Sequence, residues 1–282
     1  MTVDIEKRKE ACEAVLAQLD NSAISKNTKE ALRRLALESL LFGGFSGHLA
    51  FVGEPGTGKS YTAHLMGKLL HACGALPTDR VVECTVRDLV SGLFGGTAEK
   101  TRAVCEAALG GVLAIDNAWH LIDSEASGEK FRSDFDREAL GEIFRFAQEH
   151  RGELCIIFTG YEEYMRKLFE VDHWFFTRIS HVIRFEPFDV EALMKVFVQM
   201  AETDQMVLSD DVREAAAKAF TDMLVKREKW FGNGRAAREF YCCCREKMAS
   251  RLLSRYHAGE LTENEKYIMT VEDIPNGQEE CI

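Results

Sequence analysis

The chain has 282 residues, 46% of them hydrophobic and only 4 of them proline, enough apolar material for one large core or two smaller ones. Its 35 basic against 46 acidic residues leave a net charge of -11, which repels a phosphate backbone and argues against nucleic acid as the main partner. No apolar run approaches the roughly 18 residues of a membrane span, and the opening MTVDIEKRKEAC is charged where a secretory leader is apolar. The expectation is a soluble protein of the cytoplasm, or of a similarly reducing organelle stroma or matrix, with no membrane partner.

Residues 4–19 and 26–41 read as helices, the second with Ala31, Leu32, Leu35, Leu40 and Leu41 at helical spacing behind the polar stretch DNSAISKN. The period then changes. HLAFVG (48–53), VVECTV (81–86), GVLAID (111–116), LCIIFTG (154–160) and HVIRFEP (181–187) are short apolar runs, and helical stretches at 59–73, 98–109 and 133–150 separate them. Near-continuous apolar strands alternating with helices predict a parallel sheet covered on both faces. After Pro187 no strand is expected: 189–203, 210–226 and 234–254 all read as helices, with GNG at 232–234 as punctuation and TVEDIP as a last short turn or strand. Nine cysteines without a CxxC pair are expected to be reduced thiols. The run Cys242, Cys243, Cys244 falls in a predicted helix, where successive side chains fan out by about 100° and do not converge on one metal ion.

GEPGTGKS, Gly53 to Ser60, satisfies GxxxxGK[ST] between a strand ending at Val52 and a helix starting near Lys59. The glycines of the stretch Gly53, Glu54, Pro55, Gly56, Thr57, Gly58 let backbone N–H groups turn inward around a phosphate, which the helix N-terminus also favours. Lys59 supplies a point charge to the β and γ phosphates, and the Ser60 hydroxyl is a Mg²⁺ ligand. About 55 residues further on, the strand GVLAID ends in Asp116, placed as a magnesium-holding carboxylate at the tip of a neighbouring strand.

With GEPGTGKS, GGVLAIDNA, IIFTGY, TRISHVIRF and GNGRAAR in that order, the chain resembles the AAA+ ATPases over roughly residues 20–256. HLAFVGEPGTGK, RDLV with GTAEKT, and TGYEEYM make it most similar to the branch of the red-type Rubisco activases and the stage V sporulation protein K. The resemblance implies an α/β P-loop NTPase: an N-terminal helical element (1–45), a nucleotide-binding core (46–188), a helical lid (189–256) and a tail (257–282). It implies ATP and Mg²⁺ in the crevice between core and lid, with adenine against Ala23 and Ile24. Arg235 stands as the lid arginine that reaches the γ-phosphate, the alternative being a lid-surface residue. Arg178 stands as the finger presented to a neighbouring subunit's nucleotide, which implies a ring, in this family most often a hexamer. Thr159 and Tyr161 both lie where a polar sensor is expected. Leu93, Phe94 and Gly95 occupy the place of a pore loop that grips a client polypeptide, unless the two apolar side chains pack back on the sheet.

Two positions depart from the family pattern. Asn117 stands where a glutamate orients and deprotonates the attacking water; an amide orients water but takes no proton, a loss of roughly 10²-fold to 10⁴-fold in rate. Phe176 replaces an arginine two residues before Arg178. Asp123, Glu125 and Glu129 read as solvated loop residues rather than substitutes, and His120 as a packing or surface residue. Two readings follow: an ATPase of reduced activity that remodels a client protein, or a non-hydrolysing scaffold or regulatory subunit in a mixed ring with a paralogue.

Overall fold

The computed structural model describes residues 2–45, 47–92, 95–121, 132–171, 177–226 and 231–275. They form two compact units, the first from Met1–Asn21, Lys26–Gly53 and Gly58–Phe185, the second from Ser22–Ser25, Glu54–Thr57 and Glu186–Ile282.

The first unit is built on five strands, β1 (His48–Gly53), β2 (Val81–Thr85), β3 (Val112–Asp116), β4 (Cys155–Gly160) and β5 (Ile179–Phe185). They pair in the order β2-β3-β4-β1-β5, every neighbouring pair parallel. Each expected apolar run is a strand, the last starting two residues earlier, at Ile179, and ending at Phe185. β4 is buried at all its positions because helices cover both faces of the sheet, so no polar alternation is needed. Those helices are α1 (Thr2–Asp20), α2 (Lys26–Phe42), α3 (Lys59–Ala72), α4 (Val86–Leu89), α5 (Gly96–Ala108), α6 (Arg132–Glu149) and α7 (Glu162–Val171). Neither α4 nor α7 is expected from sequence. α7 is ten residues long and half charged, yet Met165 and Leu168, one turn apart, are fully buried against the core. α1 packs on α3, where the buried sulfurs of Cys12 and Cys73 lie 2.8 Å apart, and Thr28 of α2 donates to the Arg184 carbonyl of β5 at 2.8 Å.

The second unit is mainly α8 (Val190–Thr203), α9 (Asp210–Val225) and α10 (Gly234–Ala258). Asp189 caps α8 by accepting the Ala192 N–H at 2.8 Å, and Ser209 caps α9 by accepting that of Val212. Phe197, Phe220, Phe240 and Tyr241 form its centre, their rings tilted or edge-on at 4.7 to 6.1 Å, each burial worth about 2–3 kcal/mol. The expectation of no strand after Pro187 is corrected: β6 (Val207–Leu208) pairs in parallel with β7 (Ile268–Met269). Two residues per strand carry no readable alternation. Beside this ribbon Arg251 grips the buried Asp273 with two bonds of 2.8 Å. Burial pushes the Asp273 carboxyl upward, but the donors of Arg251 and Thr270 prevail and hold it below the usual carboxylate range. On α10, Cys242 is exposed, Cys243 half-buried and Cys244 buried, the fan that helical spacing predicts.

Candidate nucleotide-binding site

Because all five strands run the same way, β1, β3 and β4 end along one edge of the sheet, and the chemistry-bearing residues of the first unit collect there. β1 ends at Gly53 and α3 begins at Lys59; Gly58, at φ +94, is the residue before the helix and leaves its first-turn N–H groups without a side-chain cap. The Lys59 ammonium donates to the Gly53 carbonyl at 2.9 Å, so the cation folds back over the loop's start. Ser60 follows with its side chain exposed.

At the tip of β3 both oxygens of Asp116 are engaged. Thr159, one residue before the end of the adjacent β4, donates its hydroxyl to Oδ1 at 2.5 Å, and the Asn117 amide donates to Oδ2 at 3.1 Å. Asn117 has φ +52, a conformation asparagine tolerates better than glutamate does. Its carbonyl accepts the His120 N–H at 3.1 Å, starting the short 3-10 turn Ala118–Leu121. In that turn Trp119 is sandwiched between His120 (3.6 Å) and Tyr164 of α7 (4.5 Å). Tyr161 instead meets Tyr164 edge-on at 5.8 Å, so of the two sensor candidates Thr159 is the one bonded to Asp116.

Arg178, just before β5, lies over the Phe144 ring of α6 at 5.1 Å and donates to the Phe144 carbonyl at 3.4 Å. Near it, His48 accepts the Ile156 N–H on Nδ1 at 3.2 Å; burial lowers its pKa to about 4, and the Arg178 charge adds to the effect.

The second unit holds the other half of the loop. Thr57 is buried and donates to the Glu54 carbonyl at 2.8 Å, and the Gly234 N–H donates to the Gly56 carbonyl at 3.0 Å. Gly56, at φ +71, packs so close to Gly232 that a methyl group there would sit 1.9 Å from the Gly232 oxygen. Asn233 is wholly buried between these contacts: its side-chain oxygen accepts the Phe188 N–H at 2.9 Å, and its amide lies within reach of the Pro55 carbonyl (2.9 Å), the Phe231 carbonyl (3.1 Å) and the Glu54 carboxylate (3.3 Å). Arg235 is exposed in the first turn of α10; Ala23 packs against this unit's core and Ile24 is buried.

Residues 49–187 match the profile of the ATPase family associated with various cellular activities (AAA), and 189–281 match the AAA lid domain. The chain is 30% identical over 295 residues to a chloroplastic ribulose bisphosphate carboxylase/oxygenase activase of Cyanidioschyzon merolae, spanning 99% of this chain and 93% of that protein. It is 32% identical over 229 residues to protein CbbX of Cereibacter sphaeroides, spanning 80% and 71%. The chain is an AAA+ ATPase of the CbbX and Rubisco activase type. The fold agrees with solved structures: the FIGL-1 AAA domain in complex with ADP (TM-score 0.60, 14% identity, 89% of this chain and 80% of that one) and the Thermotoga maritima RuvB branch migration motor (0.60, 17%, 89% and 67%).

Membership in this family implies nucleotide binding. No helix among the described residues is long and apolar enough to cross a membrane. Several expectations for this ATPase, on Leu93, Phe94, Asp123, Glu125, Glu129 and Phe176, fall outside the described residues; Gly95, at φ +77, caps α5. Of the loop's neighbours, Asn233 is the one that sequence reading passes over. Its signal is an asparagine between two glycines just ahead of a helix, which reads as punctuation until its amide is seen against Pro55 and Glu54.

Proposed function

We propose that this AAA+ ATPase binds Mg·ATP on the Gly53 to Ser60 loop and hydrolyses it slowly, remodelling a client protein as one subunit of a ring. The observation that carries the reading is the Asn117 amide: it donates to Asp116 from a left-handed backbone, where a glutamate would bring a second carboxylate against the first. Asn117 therefore steadies Asp116 and offers an oxygen to orient water, but accepts no proton. The hard oxygens of Ser60 and Asp116 suit a magnesium ion carried in with the phosphates, which would supply electrostatic stabilisation of the transferring phosphoryl group. Lys59, folded on the Gly53 carbonyl, needs only a change of rotamer to meet a phosphate instead.

Arg178 is the finger in this reading. Its place on Phe144 keeps the guanidinium ordered until a neighbouring subunit's nucleotide competes for it. Leu93, Phe94 and Gly95 form the client grip in a hexameric ring, and the names of the relatives make Rubisco the first client to test. The second reading, a non-hydrolysing member of a mixed ring, takes the same Asn117 observation to its limit. Steady-state phosphate release by the wild type and an Asn117→Glu variant separates the two. Slow but Lys59-dependent turnover, faster in the variant, supports the ATPase; zero turnover in both supports the scaffold; equal and brisk turnover in both refutes the role given to Asn117.

A further inference from the structure

Residue 233 breaks a local rule. Its backbone, φ +49 and ψ -116, lies in a region that glycine occupies freely and other residues avoid, and glycines flank it on both sides. Yet the position holds an asparagine, and its side chain is wholly buried. A buried amide in a strained backbone persists only where its hydrogen bonds outweigh the strain. Those bonds are specific. Oδ1 accepts from Phe188 N–H, while Nδ2 faces three oxygens, the Pro55 and Phe231 carbonyls and the Glu54 carboxylate. Two of the three belong to the phosphate loop.

We propose that Asn233 is a positioning residue for ATP binding: its amide holds the Glu54–Thr57 half of the loop in its receptive shape and turns the Glu54 carboxylate aside from the phosphates. This rests on the reading that ATP binds the Gly53 to Ser60 loop. The neighbouring contacts act in the same sense. Gly234 N–H holds the Gly56 carbonyl at 3.0 Å, and the Gly56 and Gly232 backbones touch, so a shift of residue 233 is passed to the bend itself. An anion is thereby met by backbone N–H groups instead of a loop carboxylate. Glu54 is the titratable side chain in contact with the amide; the other three partners are backbone groups.

The experiment compares Asn233→Gly and Asn233→Asp with the wild type by calorimetric titration of ATP with magnesium, alongside thermal melting. Glycine relieves the backbone and removes the amide, so the expected result is a Tm equal to or within a few degrees of wild type with ATP binding at least tenfold weaker. Aspartate keeps the acceptor for Phe188 but sets a carboxylate among three oxygens. Its affinity relative to wild type is expected to fall by more than tenfold at pH 8 and to recover several-fold at pH 6, as protonation restores a donor. A purely structural role moves Tm and produces no such pH dependence. Asn233→Gly binding within twofold of wild type, or an Asn233→Asp deficit that is the same at both pH values, overturns the proposal while leaving ATP binding intact. A wild-type chain that takes up no ATP overturns the underlying reading and this inference together. Should Asn233→Asp fail to fold, the glycine variant decides alone.

Discussion

Asn117 and Asn233 are the same residue in nearly the same left-handed φ, +52 and +49, one at the sheet edge and one in the helical unit, yet their surroundings differ. Asn117 is half-buried and its amide meets a single carboxylate oxygen; Asn233 is wholly buried and its side chain meets four partners. On the proposed function, the Asn117 amide stands where a proton acceptor would act, and it donates to Asp116 instead. At Asn233 it sits on a backbone that glycine would adopt freely, and adds hydrogen bonds that a bare backbone would lack. In the roles proposed above, one amide sets how fast bound nucleotide is cut and the other how well the loop receives it.

Both roles require a loop that binds. Lys59→Ala should abolish measurable ATP binding, a loss of about a thousandfold or more in affinity if the buried phosphate charge goes unpaired; calorimetry showing retained binding would remove the ground under both asparagines. At the catalytic end, Asn117→Glu is expected to raise phosphate release by roughly 10²-fold, the lower part of the range for a general base, while lowering Tm by roughly 2–4 °C because glutamate is strained at that φ. A faster rate with no change in affinity sharpens the division of labour; changed affinity with an unchanged rate breaks it.

Acid should distinguish the units themselves. His48 titrates near 4 in the folded chain against 6.5 unfolded, so between those values the unfolded state binds the extra proton. Stability is therefore full above pH 6.5 and declines as pH falls to about 4, by up to about 3 kcal/mol. Hydrogen exchange should show the sheet around β1 loosening first, and His48→Gln should flatten the decline; an equal decline in the variant would clear His48. The smallest effect is expected of Asn117→Gly, a gain of about 1 kcal/mol or less in stability with no gain in turnover, measured by urea melts beside the phosphate-release assay.

Much of this was legible in sequence, for identifiable reasons. The five strands announce themselves because strands covered on both faces are apolar throughout, and the loop because strand, glycines, lysine and helix come in register. Strand order is invisible to such a reading, since β1 lies between β4 and β5, neither its neighbour in sequence. α7 hides because its buried face is chiefly two residues, Met165 and Leu168, and the β6–β7 ribbon because its halves are two residues long and some sixty apart. Asn117 could be flagged as a departure from the family pattern. That its amide is spent on Asp116 is a matter of two atoms 3.1 Å apart, which no pattern of residue types encodes.

The contact of Gly56 with Gly232 bears on how such a chain can change over generations. With 1.9 Å between a hypothetical methyl group and the opposing oxygen, alanine at 56 is not a half-step toward anything; it needs the far segment to move first. A substitution at 56 and a compensating shift around 232 therefore have to arrive together, which ties two stretches of gene about 175 codons apart. Libraries that randomise the loop alone should return glycine at 56, whereas libraries that also vary 231–234 offer the way out.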